Sequence, residues 1–193
     1  MKKILFSRDS PCIQPIRSLV EKQNHRTLVL WALDTAPHVL TIFEEKYPDD
    51  KRPQDALSVV RAWSKGEIKM PEAKKAILAA HKAAAVAEDP AAQAAARAAG
   101  HAAATVHVET HALGVVFYGL TAFIYAADPK DADAVTEKEC QWFYDRLLYW
   151  EKNADAVETA WAPFLLKEAP NKEKLLREKE EQKRLQKQLQ SRK

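Results

Sequence analysis

Apolar residues recur every three or four positions along most of the chain, and prolines, glycines and short acidic loops separate these runs. Such spacing places apolar side chains on one face of a helix. It predicts a first helix from Pro15 to about Asp34. A second, shorter helix is predicted over "APHVLTIFEEKYP", and it ends before Pro48 because the residue that precedes a proline avoids helical backbone angles.

Start and stop signals predict the next helices. The segment "QDALSVVRAWSKG" should end at Gly66, a residue type suited to the position after a helix. Pro71 and Asp89-Pro90 should begin the two helices that follow, because proline is favoured in the first turn. The apolar run 112–127 predicts a buried helix, since it is shorter than the roughly 20 residues that a bilayer span needs. One or two further helices are expected over 134–166.

Alanine dominates the middle of the chain, where it occupies eighteen of the 32 positions from Ala73 to Ala104. So little side-chain bulk predicts two helices that pack closely, and the short turn at Asp89-Pro90 makes them antiparallel neighbours. With only four glycines and 30% charged residues, the composition indicates an all-α fold, a single compact bundle of about seven to eight helices.

The charge changes near residue 167. Residues 167–193 carry ten Lys and Arg against five Asp and Glu, whereas the rest of the chain is near neutral. We therefore expect an all-helical domain over 1–166 and a charged basic helix or tail over 167–193. Nucleic-acid binding is disfavoured, because the folded body lacks a net basic charge and the tail holds no aromatic residue to stack on bases.

Three of the six histidines lie in "GHAAATVHVETHALG", residues 100–114. His107 and His111 have the i, i+4 spacing of two metal ligands on one helix, but Glu109 does not directly follow the first histidine as in zinc proteases. Thr110 is a plausible N-cap, and a helix break there would separate the two rings. A metal site that uses some of His81, His101, His107 and His111 is one alternative, and histidines packed between close helices are the other.

A second group of polar and aromatic residues lies in the first three predicted helices and the loop after Pro48. This candidate pocket for a ligand or partner comprises His25, Arg26, Trp31, Asp34, Glu44, Asp50, Arg52, Arg61 and Trp63. Arginine and carboxylate pairs can form an acid/base site, although in helical bundles they more often tie loops and helix ends together. No spacing suggests a nucleophile or a phosphate loop, and no catalytic residue or cofactor is predicted.

The segments "FEEKYPDDKRP", "RAW" before "KGE", and "AAGHAAATVH" followed by "THALG" resemble the immunity-protein-five-like family of bacterial and archaeal toxin systems. The resemblance covers about residues 22–126. It implies an all-helical cytoplasmic protein that binds and neutralises a cognate toxin without catalysis. The matching positions are His25, Arg26, Trp31, Asp34, Glu44, Tyr47, Asp50, Arg52, Arg61, Trp63, His81, His101, His107 and His111.

Two other functions stay open from the sequence. One is a metal- or small-ligand-binding helical enzyme centred on the four histidines, and the other is an interaction scaffold that works through the C-terminal tail. Cys12 and Cys140 lie far apart in sequence, without metal-ligand spacing, and are expected to be reduced thiols of a cytoplasmic protein. The first residues lack the apolar stretch of a signal peptide, and no membrane partner is expected.

Overall fold

The computed structural model describes residues 3–190. The helices of this part of the chain are α1 (Gln14–Val20), α2 (His25–Lys46), α3 (Arg52–Ser64), α4 (Met70–Val86), α5 (Pro90–Thr105), α6 (Ala112–Ala126), α7 (Ala132–Asn153) and α8 (Lys172–Gln190). These residues contain no strand, and short 3-10 turns join several helices, so the all-α prediction is confirmed. None of the described helices is both long and apolar enough to cross a membrane.

Helix α5 lies at the centre of the bundle and packs against α2, α3, α4 and α6. Its buried face is almost entirely alanine, which lets four helices approach one another around it. The bulkiest buried side chains lie elsewhere, where α2 meets α7: Trp31 and Phe143 are in edge-to-face contact, and the Trp31 indole N–H donates to the Phe143 carbonyl at 3.0 Å. The core therefore contains small side chains around α5 and large ones between α2 and α7.

The prediction of one helix from Pro15 to Asp34 was wrong, because residues 21–24 separate α1 from α2. Asn24 starts the second helix, since its side-chain oxygen accepts the Thr27 N–H at 2.9 Å. The carbonyls of Val20 and Gln23 at the break accept hydrogen bonds from the Asn171 side chain at 2.8 and 2.9 Å. A distant residue thus satisfies the backbone groups that the break exposes.

The prediction of a separate helix near Pro37 was also wrong, because α2 runs through this proline to Lys46. Proline has no N–H to donate to the carbonyl four residues earlier, which is that of Leu33. The Arg61 guanidinium on α3 donates to this carbonyl at 2.6 Å. The helix continues because a neighbouring helix supplies the missing donor.

Most other signals gave the correct helix ends. Gly66 follows α3 with a positive φ of 80°, and the Asp89 side chain accepts the Ala92 N–H at 2.9 Å to cap α5. Thr110, however, is not the N-cap of α6. It lies inside a 3-10 turn over Glu109–His111 that leads directly into α6, so His111 takes the N-cap position without a side-chain bond.

Residues 172–190 of the expected basic tail form α8, whose first turn is tied to the body. Glu173 is fully buried, accepts a hydrogen bond from Arg8 Nε at 2.6 Å and forms an ion pair with Arg17, whose Nε lies 3.2 Å away. Residues 181–190 are exposed throughout. The division of the chain at residue 166 stays a prediction, and its ends at residues 1–2 and 191–193 lie outside the described residues.

Candidate functional site

A surface cavity of about 740 Å³ lies where the start of α2, the end of α3, the α5–α6 connection and the segment before α8 meet. This volume is within the range of small-ligand sites. The body supplies Gln23, Asn24, His25, Arg26, Trp63, Met70, His107 and Glu109, and the C-terminal segment supplies Phe164–Ala169, Asn171 and Lys172. We call it the α2–α3 pocket.

Glu109 forms the polar floor of the α2–α3 pocket. It is buried, and its two carboxylate oxygens accept the Lys172 backbone N–H at 3.1 Å and the Lys172 ammonium at 3.2 Å. The His25 ring lies beside it, with Nδ1 at 4.0 Å from Glu109 Oε2 and Nε2 at 2.6 Å from the Thr105 carbonyl. A neutral His25 that donates from Nε2 to this carbonyl leaves Nδ1 as an acceptor toward the pocket.

The surroundings of His25 and Glu109 favour the neutral form of the imidazole and the ionised form of the carboxyl. Burial lowers the pKa of His25 and outweighs the Thr105 carbonyl and Glu109, which favour the charged ring. Burial also opposes ionisation of Glu109, but its own N–H, the Lys172 N–H and nearby cations together hold the pKa of this carboxyl below its usual value. At neutral pH the floor is therefore a neutral imidazole beside a carboxylate paired with Lys172.

Aromatic and apolar side chains form the wall and mouth of the α2–α3 pocket. The Trp63 ring is 6.1 Å from the His107 ring and 5.4 Å from the Phe164 ring, measured between centroids. Met70 and Leu166 are 43% and 55% exposed at the mouth. The arrangement offers a contact surface with an apolar centre and charged edges, and it contains no nucleophile next to a base among the residues that line it.

The nine predicted pocket residues do not converge. Only His25, Arg26 and Trp63 line the α2–α3 pocket. Glu44 and Arg61 line a separate cavity of about 180 Å³ beside Pro37. Trp31 is fully buried in the core.

Three of the nine form local ion pairs away from the pocket. Asp50 pairs with Arg52 two residues later in the loop before α3, and this arginine lowers the pKa of Asp50. Asp34 on α2 accepts from Arg146 Nε at 2.7 Å and from the Trp150 indole N–H at 3.0 Å on α7. The first pair connects the loop to the start of α3, and the second connects α2 to α7.

The four candidate metal-binding histidines divide into a cluster and an outlier. His81, His101 and His111 come together, with ring centroids 5.9 Å apart for the first two and 5.3 Å for the last two. His101 Nδ1 and His111 Nδ1 are 3.2 Å apart, so in the neutral rings one donates and the other accepts. His107 instead faces Trp63 in the α2–α3 pocket.

Cationic and neutral groups surround this histidine cluster. Arg97 NH1 lies 3.3 Å from His81 Nδ1, and the His101 ring stacks on Tyr118 with a centroid distance of 5.0 Å. Burial, followed by the charges of His111, His81, Arg97 and Arg8, lowers the pKa of His101 to about 3. The cluster is consequently neutral at physiological pH.

Two glycines make room for the rings. A Cβ atom on Gly100 would lie 2.5 Å from His81 Cε1, and one on Gly114 would overlap the His101 ring. Within residues 3–190, no group of three or more His, Cys, Asp or Glu side chains is placed to hold one metal ion. The metal-site hypothesis stays a prediction, for which the structure provides two adjacent imidazoles and separates His107 from them.

Part of the α2–α3 pocket lies in the region of the chain that matches a known protein family. A family model described as Imm-5 like putative immunity protein matches residues 18–148. The chain belongs to this family. No curated protein and no solved structure has a significant match to the chain. The Imm-5 like region includes the body side of the α2–α3 pocket, from Gln23 to Glu109, whereas the C-terminal side of the pocket lies outside it.

The sequence did not indicate the residues that complete the α2–α3 pocket and the histidine cluster. Glu109 entered the sequence analysis only as a departure from the zinc-protease spacing, but the turn after Thr105 brings its carboxylate to His25 and Lys172. The pairing of Lys172 with Glu109 could not be found from spacing, because these residues are remote in sequence. The glycines at the two ends of "GHAAATVHVETHALG" were an available signal, since Gly100 faces the His81 ring and Gly114 faces the His101 ring at close helix contacts.

Proposed function

We propose that this protein is an immunity protein that binds a cognate protein toxin in the cytoplasm and neutralises it without catalysis. The observation that carries this proposal is the match of the Imm-5 like family model to residues 18–148. The match spans every helix from α2 to α6 and most of α7. An immunity protein acts by occupying a surface of its toxin, so it needs a stable contact face and no reactive group.

We propose the mouth of the α2–α3 pocket as that face. Its exposed apolar residues Met70 and Leu166 line the same pocket as the charged residues Arg26 and Lys167. Apolar centres with charged edges, and arginine and aromatic residues in particular, contribute most of the energy of many protein interfaces. The buried Trp63 ring contacts the ring of Phe164, which is itself 37% exposed, and this contact fixes part of the pocket wall.

The test uses the toxin encoded beside the gene for this protein. The full chain should form a one-to-one complex with that toxin and protect cells that express it. The Leu166→Asp and Arg26→Ala variants should each weaken the complex about tenfold or more, whereas Leu78→Asp should not, because Leu78 is an exposed residue of α4 that does not line the pocket.

Two outcomes would overturn different parts of the proposal. If cells survive the toxin equally well without this protein, the immunity function is wrong. If the complex forms but the Leu166→Asp and Arg26→Ala variants bind as tightly as the unchanged chain, the toxin contacts another face.

A further inference from the structure

The two cysteines, remote in sequence, are neighbours in the fold. Cys12 lies in the 3-10 turn Pro11–Ile13, and Cys140 lies in α7. Both are free thiols, and they line the same surface cavity. Their separation in sequence matches no metal-ligand spacing, so the sequence alone does not indicate that the two thiols share one place in the fold.

Core packing holds the pair together. The turn Pro11–Ile13 and α1 both pack against α7. Ile13 and Ile16 are buried on one side of this contact, and Phe143 and Leu147 on the other. Since apolar anchors flank both cysteines, the packing of the turn against α7 keeps the two thiols at one cavity.

The pair lies next to solvent. A surface cavity of about 390 Å³ is lined by Cys12 and Cys140 together with Pro15, Thr136 and Tyr144. Cys12 is the more exposed thiol, and Cys140 is 8% exposed. Burial, with the neighbouring Cys12 thiol, raises the pKa of Cys140 to about 12. A reagent that enters this cavity therefore meets Cys12 first.

We propose that Cys12 and Cys140 form a reversible redox pair that a low-molecular-weight disulfide converts into an internal disulfide. The Cys12 thiolate attacks one sulfur of the reagent, RSSR, which gives a mixed disulfide on Cys12 and releases RS⁻. That anion takes the proton of Cys140. The Cys140 sulfur then attacks Cys12 Sγ and displaces the second RS⁻, which takes up the proton that Cys12 released to solvent when it ionised. Two protein thiols are thereby oxidised and one RSSR is reduced to two RSH.

The cross-link would tie the N-terminal segment to α7. This segment carries Arg8 and Arg17, which hold the buried carboxylate of Glu173 at the start of α8. Local opening of the N-terminal segment releases both arginines, and a covalent bond at Cys12 prevents that opening. Oxidation is therefore expected to strengthen the attachment of α8 as well as that of the segment itself.

The experiment exposes the full chain to a series of glutathione and glutathione disulfide mixtures, quenches it with acid and blocks remaining thiols with a maleimide. Intact mass should show that both thiols are lost together, that the chain becomes lighter by two hydrogen atoms and that no glutathione is retained. A thiol reductant should restore both. Trypsin should cleave after Arg8 more slowly in the oxidised chain.

Single substitutions separate the two steps. Cys140→Ser should trap glutathione on Cys12, because no second thiol is present to displace it, and Cys140→Ala provides the same test if serine disturbs the buried site. Cys12→Ser should leave Cys140 unmodified. The proposal is overturned if the unchanged chain accumulates glutathione on Cys12 without the internal bond, or if its disulfides join separate chains. Free thiols that persist where a control dithiol peptide is oxidised would also overturn it.

Discussion

The continuity of α2 through Pro37 depends on Arg61, and this dependence can be measured. The Leu33 residue is 3% exposed, so its carbonyl has no ready access to water, and the Arg61 guanidinium is its donor at 2.6 Å. Replacing Arg61 with methionine keeps most of the aliphatic stem and removes the donor. The Leu33 carbonyl would then be buried without a partner.

The expected cost follows from this geometry. An unsatisfied buried acceptor costs about 1–3 kcal/mol, and because the Arg61 side chain is partly in solvent we expect about 1–2 kcal/mol of lost unfolding free energy in Arg61→Met. The Pro37→Ala change restores an N–H that can bond to the Leu33 carbonyl within the helix. In that background, Arg61→Met should cost about 1 kcal/mol less.

The assay is urea unfolding of the four proteins of this double-mutant cycle, followed by circular dichroism. Lys65→Met is the matched control, because it removes an exposed cation just after α3, and its cost should be the same with or without Pro37. If Arg61→Met costs equally in the two backgrounds, the guanidinium does not replace the proline's missing donor and our explanation of the unbroken helix is wrong.

Three further predictions concern the buried polar groups. Lowering the pH from about 7 to about 5 should reduce the free energy of unfolding by about 2 kcal/mol through His101 alone. The reason is that the unfolded chain takes up a proton near pKa 6.5, whereas the pKa of the folded ring is about 3. Urea unfolding at each pH measures this loss, which should be smaller in His101→Gln. Gly114→Ala should lower the unfolding free energy by about 1–3 kcal/mol, since the added methyl overlaps the His101 ring, and thermal unfolding measures it. Glu173→Gln should cost about 3 kcal/mol, because two arginines lose their buried carboxylate, and limited proteolysis should then release α8.

The helix ends that the sequence predicted correctly are those with a local cause. Gly66 adopts the positive φ that glycine permits, and Asp89 and Pro90 form a cap and a first turn within a few residues of each other. The ends that it predicted wrongly have a distant cause. The break before His25 uses the Asn171 side chain, and the continuation through Pro37 uses a donor from another helix. Periodicity and propensity contain no information about such partners.

The candidate site was predictable in composition but not in arrangement. Of the residues predicted to form a pocket, His25, Arg26 and Trp63 line the α2–α3 pocket, and whether they bind a ligand or partner stays a prediction. Asp34 belongs to the same predicted set but joins α2 to α7 instead, because it accepts hydrogen bonds from Arg146 and Trp150. Which role a polar residue takes depends on the helix that packs opposite it, and the contact between two helices is not encoded within either one.

The geometry of the histidine cluster also bears on what the family resemblance means. Its most specific pieces include "AAGHAAATVH" and "THALG", and in the fold Gly100 and Gly114 in these pieces accommodate the rings of His81 and His101. A change at either glycine would force two packed helices apart, so these residues specify the α4–α5–α6 packing whatever the protein binds. The segments that identify the family therefore report its fold. A partner must be recognised by side chains that such packing leaves at the surface, and the mouth of the α2–α3 pocket, where Met70 and Leu166 are 43% and 55% exposed, has the accessible apolar side chains that the proposed toxin contact requires.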